Sequence, residues 1–313
     1  MESRNDILVV ISCITFNHEP YIRDCLDGFV MQKTNFKFVA IVHDDASTDK
    51  TADIIREYEA KYPDIIKPIY ETDNQYSKRD GSLDKIMNDA IDATGAKYVA
   101  CCEGDDYWID PYKLQKQVDV LEADKTLMGV MTNRRLVDMQ GNTLEEKSDR
   151  IVPDNKMGRY TLRQFFKDNP QYPTASVMYR NTHTADVRRM QAHTANAYLG
   201  DWTLWIILHT FGDFYYLDDV TSAYRINPNS VTHTCDRVGR AKANWQICPA
   251  VADILPEQYA DIADDLRHLD WVWWSVALAH KHEHHYIRAI GCLIVLLFKD
   301  PKCLYGNVKR TLK

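Results

Sequence analysis

From Ile7 to Cys102 the chain alternates two kinds of segment: short β-branched or apolar runs, and longer stretches with helical spacing. Ile7 to Thr15 reads as a buried strand. Pro20 suits a first helical turn, and Ile22, Leu26, Phe29 and Val30 then fall on one helix face. Phe36 to His43 is a second strand, after which Asp49 is expected to cap a helix carrying Ile55, Tyr58 and Tyr62 that must stop at Pro63. Ile65 to Tyr70, a helix from Leu83 to Thr94 stopped by Gly95, and a strand from Tyr98 to Cys102 repeat the pattern. Such alternation demands right-handed crossovers and a parallel sheet with helices on both faces. This is an α/β nucleotide-binding architecture.

After Asp110-Pro111 another capped helix carries Leu114, Val118 and Leu121, followed by a strand from Leu127 to Thr132. The alternation loosens up to Asn229, and beyond Ser230 the pattern is wholly helical. Trp271, Trp273, Trp274 and the run Ile287 to Phe298 are expected to pack this appendage onto the rest. A membrane-surface role is the second reading, because Lys281, Arg288, Lys299 and Lys302 flank these apolar stretches. The run Ala289 to Phe298 is half the length that a spanning helix needs.

With 38 basic against 45 acidic side chains there is no positive field to gather phosphate backbones, so a nucleic-acid partner is not expected. Met1 to Asp6 contains no basic leader, so the expected location is cytoplasmic, at most at the inner face of the membrane. The eight cysteines lack paired metal-ligand spacing and are expected to be reduced core residues. His280, His282, His284 and His285 are expected on a solvated face, since no third metal ligand follows from their spacing.

In an open α/β sheet, ligands sit beyond the carboxyl ends of strands. Three of those ends are acidic here: Asp44-Asp45-Ala46-Ser47-Thr48-Asp49, Glu103-Gly104-Asp105-Asp106, and the later Gly200-Asp201-Trp202. Carboxylates gathered at one edge repel one another unless a cation sits between them, and a divalent ion bridging to a nucleotide diphosphate is the usual solution. The first strand ends in Thr15-Phe16-Asn17-His18-Glu19 without glycine, which excludes a dinucleotide fingerprint and a Walker-type loop.

The string Val10-Ile11-Ser12-Cys13-Ile14-Thr15-Phe16-Asn17-His18-Glu19-Pro20-Tyr21-Ile22, followed by His43-Asp44-Asp45-Ala46-Ser47-Thr48-Asp49-Lys50-Thr51 and Glu103-Gly104-Asp105-Asp106-Tyr107-Trp108, resembles family 2 glycosyltransferases of the GT-A fold. The likeness runs over residues 7 to 232. It implies an α/β fold, a GT-A-type, Rossmann-like mixed sheet flanked by helices, in a catalytic domain of residues 1–232 with a C-terminal helical extension at 233–313.

It also implies roles. Asp45 accepts from the N3 proton of a uracil-like base, Thr15 and Asn17 frame that pocket, and Asp44 supports it. Asp106 is the direct ligand of Mn²⁺ or Mg²⁺, with Asp105 nearer the ribose or the sugar and Glu103 in the place of the motif's usual first acid. Asp201 matches the general base, with Asp218 and Asp219 as nearby alternatives. Arg225, in Ala223-Tyr224-Arg225-Ile226-Asn227, faces the phosphates; Asn227 stands where the family often has a histidine, and His233 is close enough in sequence to supply that metal ligand.

The activity implied is inverting transfer from a nucleotide-sugar donor, with UDP favoured, to a hydroxyl of a glycan or lipid-linked acceptor, in surface-polysaccharide or glycolipid synthesis. Peripheral membrane contact through the C-terminal helices stays the second reading, on the basic residues that flank their apolar stretches. Two alternatives stay open at this point: a sugar nucleotidyltransferase, and an inactive nucleotide-sugar-binding scaffold.

Overall fold

The computed structural model describes residues 7–144, 151–152, 156–168, 172–182, 187, 190–191, 200–227, 247–268, 276–278, 280–281 and 284–299. Trp271, Trp273, Trp274, His282 and His233 lie outside the described residues. The described chain divides into two compact units, Met1–Arg189 with Trp205–Asn227, and Met190–Leu204 with Pro228–Lys313.

In the first unit, β1 (Ile7–Thr15), α1 (Ile22–Val30), β2 (Lys37–Asp44), α2 (Thr51–Lys61), β3 (Ile66–Tyr70), α3 (Ser82–Thr94) and β4 (Tyr98–Cys101) follow the expected alternation within a residue or two. Then come β5 (Tyr107–Trp108), α4 (Lys113–Ala123), β6 (Leu127–Val137), β7 (Gly158–Tyr160), α5 (Leu162–Asp168), β8 (Val177–Arg180), α6 (Gly200–His209) and β9 (Asp213–Arg225). The unit boundary falls inside α6, between Leu204 and Trp205.

The strand order is β3-β2-β1-β4-β8-β6-β9-β5, with β7 pairing β9. From β3 to β4 all neighbours are parallel, as the crossovers require. Beyond β4 the sheet turns mixed: β8 runs antiparallel to β4 and β6, β6 and β9 are parallel, and β5 and β7 pair antiparallel with β9. The class is therefore α/β, a mixed sheet flanked by helices, with the purely parallel arrangement confined to one half.

Val9, Ile11 and Cys13 of β1, Val42 of β2 and Ala100 of β4 are buried against Leu26 and Phe29 of α1 and Leu114 of α4. Gly95 ends α3 with φ 66°, a left-handed conformation that glycine adopts without strain. Asp49 lies one residue ahead of the α2 cap and works differently from the expectation: one oxygen accepts from the Thr51 N–H (2.9 Å), the other from the Glu19 N–H (3.0 Å). It ties the α2 start to the loop after β1.

Among the described residues Cys13, Cys25, Cys101, Cys102, Cys248 and Cys292 are buried, and burial pushes the Cys101 thiol up to about 12. Among the described residues of the second unit, α7 (Ala260–His268) and α8 (Tyr286–Lys299) are the longer helices. His284 and His285 are exposed as expected, whereas His280 is buried and departs from the solvated-face reading. Among the described residues no helix is long and apolar enough to cross a membrane.

Candidate functional site

Three loops leave the carboxyl edge of the parallel strands and are laced together by backbone hydrogen bonds. Thr15 and Asp44 stand side by side in the β1–β2 register, the Asp45 N–H donates to Thr15 O (2.9 Å), and the Gly104 N–H donates to Ile14 O (3.0 Å). The loops after β1, β2 and β4 thus converge, bringing Thr15, Asn17, Asp44 and Asp45 to the edge that also carries Asp105 and Asp106.

Side chains complete the lacing. Asn17 adopts φ 54°, its N–H donates to Ser47 Oγ (2.9 Å), and its Oδ1 accepts from the Thr48 N–H (2.8 Å). The His18 N–H donates to Thr51 Oγ1 (2.8 Å). Asp45 is buried, and its two oxygens accept from the Gln75 N–H (2.6 Å) and the Tyr76 N–H (3.0 Å). This carboxylate therefore anchors the segment between β3 and α3, while the second lone pair of each oxygen is left for a ligand N–H. Burial raises the Asp44 carboxyl above its ordinary range, against hydrogen bonds from Ser47. Its Oδ1 and the buried Thr15 Oγ1 have no hydrogen-bond partner, an arrangement that favours a polar ligand.

Gly104 is required by close approach. A Cβ there would stand 2.6 Å from Thr15 Oγ1, 2.7 Å from Thr15 Cβ and 2.9 Å from His18 Nδ1. Gly104→Ala must push the acidic loop off Thr15, with an expected loss of about 1–3 kcal/mol, read as a lower Tm. An unchanged Tm would mean that the loop does not bear on Thr15.

Asp106 is 2% exposed, and its Oδ1 accepts from the Arg225 N–H (2.8 Å) at the end of β9. Pairing of β5 with β9, Tyr107 opposite Ala223, sets that contact. Burial holds the Asp106 carboxyl well above its usual range, and the charges of Asp105 and Glu103 push it further in the same direction. Unbalanced negative charge of this kind suits a cation. Among the described residues no three His, Cys, Asp or Glu side chains come close enough to hold a metal by themselves. The donor set therefore fits an ion held by one or two carboxylates and completed by phosphate oxygens, the habit of Mg²⁺.

Arg225 belongs to this edge, and its guanidinium is engaged by protein groups. It donates to Asp105 O (2.8 Å), pairs with Asp24 (2.8 Å) and lies between the rings of Tyr21 (4.7 Å) and Tyr107 (5.0 Å). Buried and so occupied, it is placed to hold the acidic loop. Sequence reasoning missed Asp24, Gln75 and Tyr76, because backbone donors and a helix acid at long separation leave no local pattern.

Asp201 lies in the first turn of α6, in the second unit, and its Oδ1 accepts from the Trp202 N–H (2.8 Å). Protein atoms crowding the carboxyl raise it above the ordinary Asp range, although the residue keeps an exposed surface. The two alternatives are engaged elsewhere: Asp219 pairs with Lys116 (2.5 Å), and Asp218 accepts from Asn133 (3.0 Å) and Tyr216 (2.8 Å).

Comparison with known proteins gives a consistent answer. An uncharacterised protein of Mycobacterium tuberculosis is 32% identical over 229 residues, which cover 72% of this chain and 60% of the relative, so the chain spans about 60% of the length of the mycobacterial relatives it matches. S. aureus TarS 1-349 in complex with UDP-GlcNAc superposes with a TM-score of 0.60 at 15% identity, covering 95% of this chain and 83% of that one. The mannosyltransferase PcManGT from Pyrobaculum calidifontis, in complex with GDP-Man and Mn²⁺, gives 0.61 at 17% identity, covering 97% and 79%. These two likenesses are ones of fold. The profile of Glycosyl transferase family 2 matches residues 10–189, more than half of the chain and all three loops of this acidic edge, and the chain belongs to that family.

Proposed function

We propose that the chain transfers a sugar, with inversion, from a UDP-sugar to a hydroxyl of a glycan or lipid-linked acceptor in surface-polysaccharide or glycolipid synthesis, with residues 1–232 catalytic and 233–313 an extension. The observation that carries this reading is the buried, electrostatically unbalanced Asp106 beside the open polar atoms of Thr15 and Asp44. The printed complexes of the structural neighbours, with UDP-GlcNAc and with GDP-Man and Mn²⁺, support a nucleotide-sugar donor and a divalent ion.

Thr15, Asn17, Asp44 and Asp45 form the wall for the base and ribose. Asp106 would hold Mn²⁺ or Mg²⁺, with Asp105 nearer the ribose or the sugar; when bound, such an ion offsets charge on the diphosphate. Inversion needs one base on the acceptor side and no enzyme nucleophile. Asp201 takes the acceptor hydroxyl's proton, and its raised affinity for that proton suits the task.

Asp201→Asn is therefore expected to lower the transfer rate about a hundredfold or more while leaving UDP affinity intact. Only the ionised base works, so the wild-type rate should fall as pH drops through a point above the ordinary Asp range. Steady-state rates and calorimetric titration with UDP check this. Full transfer by Asp201→Asn would remove it as the base, and GDP binding far tighter than UDP would overturn the donor assignment.

A further inference from the structure

α8 presents two faces. Ala289, Cys292 and Leu296 are buried, forming the packed stripe. On the other side Ile287 (88% exposed), Ile290, Ile294, Leu297 and Phe298 (83% exposed) stand open to solvent. At about 100° per residue these five side chains span an arc of roughly 100°, directed away from the packed stripe. An exposed strip of large apolar side chains on a helix of 14 residues is not the ordinary scatter of single surface hydrophobes.

Charge identifies what covers it. α8 contains no acidic residue, and by helical spacing Arg288 and Lys299 fall about 20° apart, on the side between the apolar arc and the packed stripe. From His284 to Lys313 the sequence has six basic residues, Arg288, Lys299, Lys302, Lys309, Arg310 and Lys313, against the single acid Asp300. The rest of the chain carries 32 basic against 44 acidic, so the positive charge is segregated to the segment with the bare apolar face. A second copy of the chain would bring the same basic flank against itself. An anionic lipid surface takes up the apolar face and neutralises the flank together.

We infer that α8 lies in the interface of an anionic phospholipid membrane, with Ile287, Ile290, Ile294, Leu297 and Phe298 among the acyl chains and Arg288 and Lys299 at the headgroups. The inference does not depend on the donor assignment, and it would place the enzyme beside a lipid-linked acceptor.

The test is cosedimentation of the full chain with vesicles of phosphatidylcholine alone and of phosphatidylcholine with about one third phosphatidylglycerol. The wild type is expected to partition at least tenfold more strongly onto the anionic vesicles, with the advantage shrinking in about 0.5 M salt. Ile294→Glu with Phe298→Glu should lose binding tenfold or more, and Arg288→Gln with Lys299→Gln should lose the preference for anionic lipid. Ile294, Phe298 and Arg288 are exposed, so circular dichroism and UDP binding of both variants should match the wild type. Failure of the wild type to sediment with anionic vesicles, or sedimentation of the Glu variant like the wild type, overturns the inference. A wild-type dimer in sedimentation velocity that the Glu variant dissolves, without vesicle binding, assigns the face to a second copy and overturns it too.

Discussion

Replacing Asp106 with Asn is expected to lower metal-dependent turnover of the nucleotide sugar by about a thousandfold, the largest loss at any single position of the donor edge. Asn is the informative substitution. Asp106 Oδ1 accepts from the buried Arg225 N–H, and alanine would orphan that donor at a cost of about 1–3 kcal/mol, mixing a folding defect into the kinetics. The amide oxygen keeps this hydrogen bond and removes only the charge. Calorimetric titration with Mn²⁺ in the presence of UDP should then show a metal affinity weakened by tenfold or more, at unchanged Tm. Wild-type turnover and metal affinity in Asp106→Asn would mean that the ion is held elsewhere, and the donor-edge reading would fall with it.

The half of the molecule that the sequence made legible is the half whose contacts are local or periodic. Buried parallel strands such as β1 and β4 read as unbroken apolar runs, and helices between them carry one apolar face, so pattern and fold coincide. Acids that end such strands fall at the ligand edge by topology alone, which made Asp44, Asp45, Asp105 and Asp106 visible. The mixed half gave less: β6 was legible as a strand from Leu127 to Thr132, but its partners were not. β5 has two residues and exists because β9 pairs with it from more than a hundred positions away. A phosphate-facing Arg225 was expected only from the resemblance of its segment to the family, and its contacts with Asp24, Tyr21 and Tyr107 join partners that no spacing rule connects. Asp45 and Asp106 were each legible as acids, yet the backbone donors that fix their oxygens were not, since any residue supplies an N–H.

Lys113 is the least expected residue of the fold, and it makes a stability prediction with a definite sign. It begins α4 and is fully buried. Its Nζ donates to Gln117 Oε1 (2.6 Å) and lies 4.5 Å from the Trp108 ring centroid, and no carboxylate among the described residues pairs with it. Burial pulls the amine down from 10.5 to about 7, with Cys102, Cys101 and Asp110 opposing. Between pH 7 and 10.5 the unfolded chain binds a proton that the folded chain lacks, so stability rises with pH across that window. Below pH 7 both states are protonated and the full penalty applies, on the order of 5 kcal/mol. Lys113→Met removes the titration. Losing the Gln117 hydrogen bond shifts its stability by a constant amount and leaves the slope untouched. In guanidinium denaturation the wild type should gain about 2 kcal/mol relative to Lys113→Met between pH 7 and pH 9. Parallel curves for the two proteins would show that the amine reaches water and keeps its ordinary affinity for the proton.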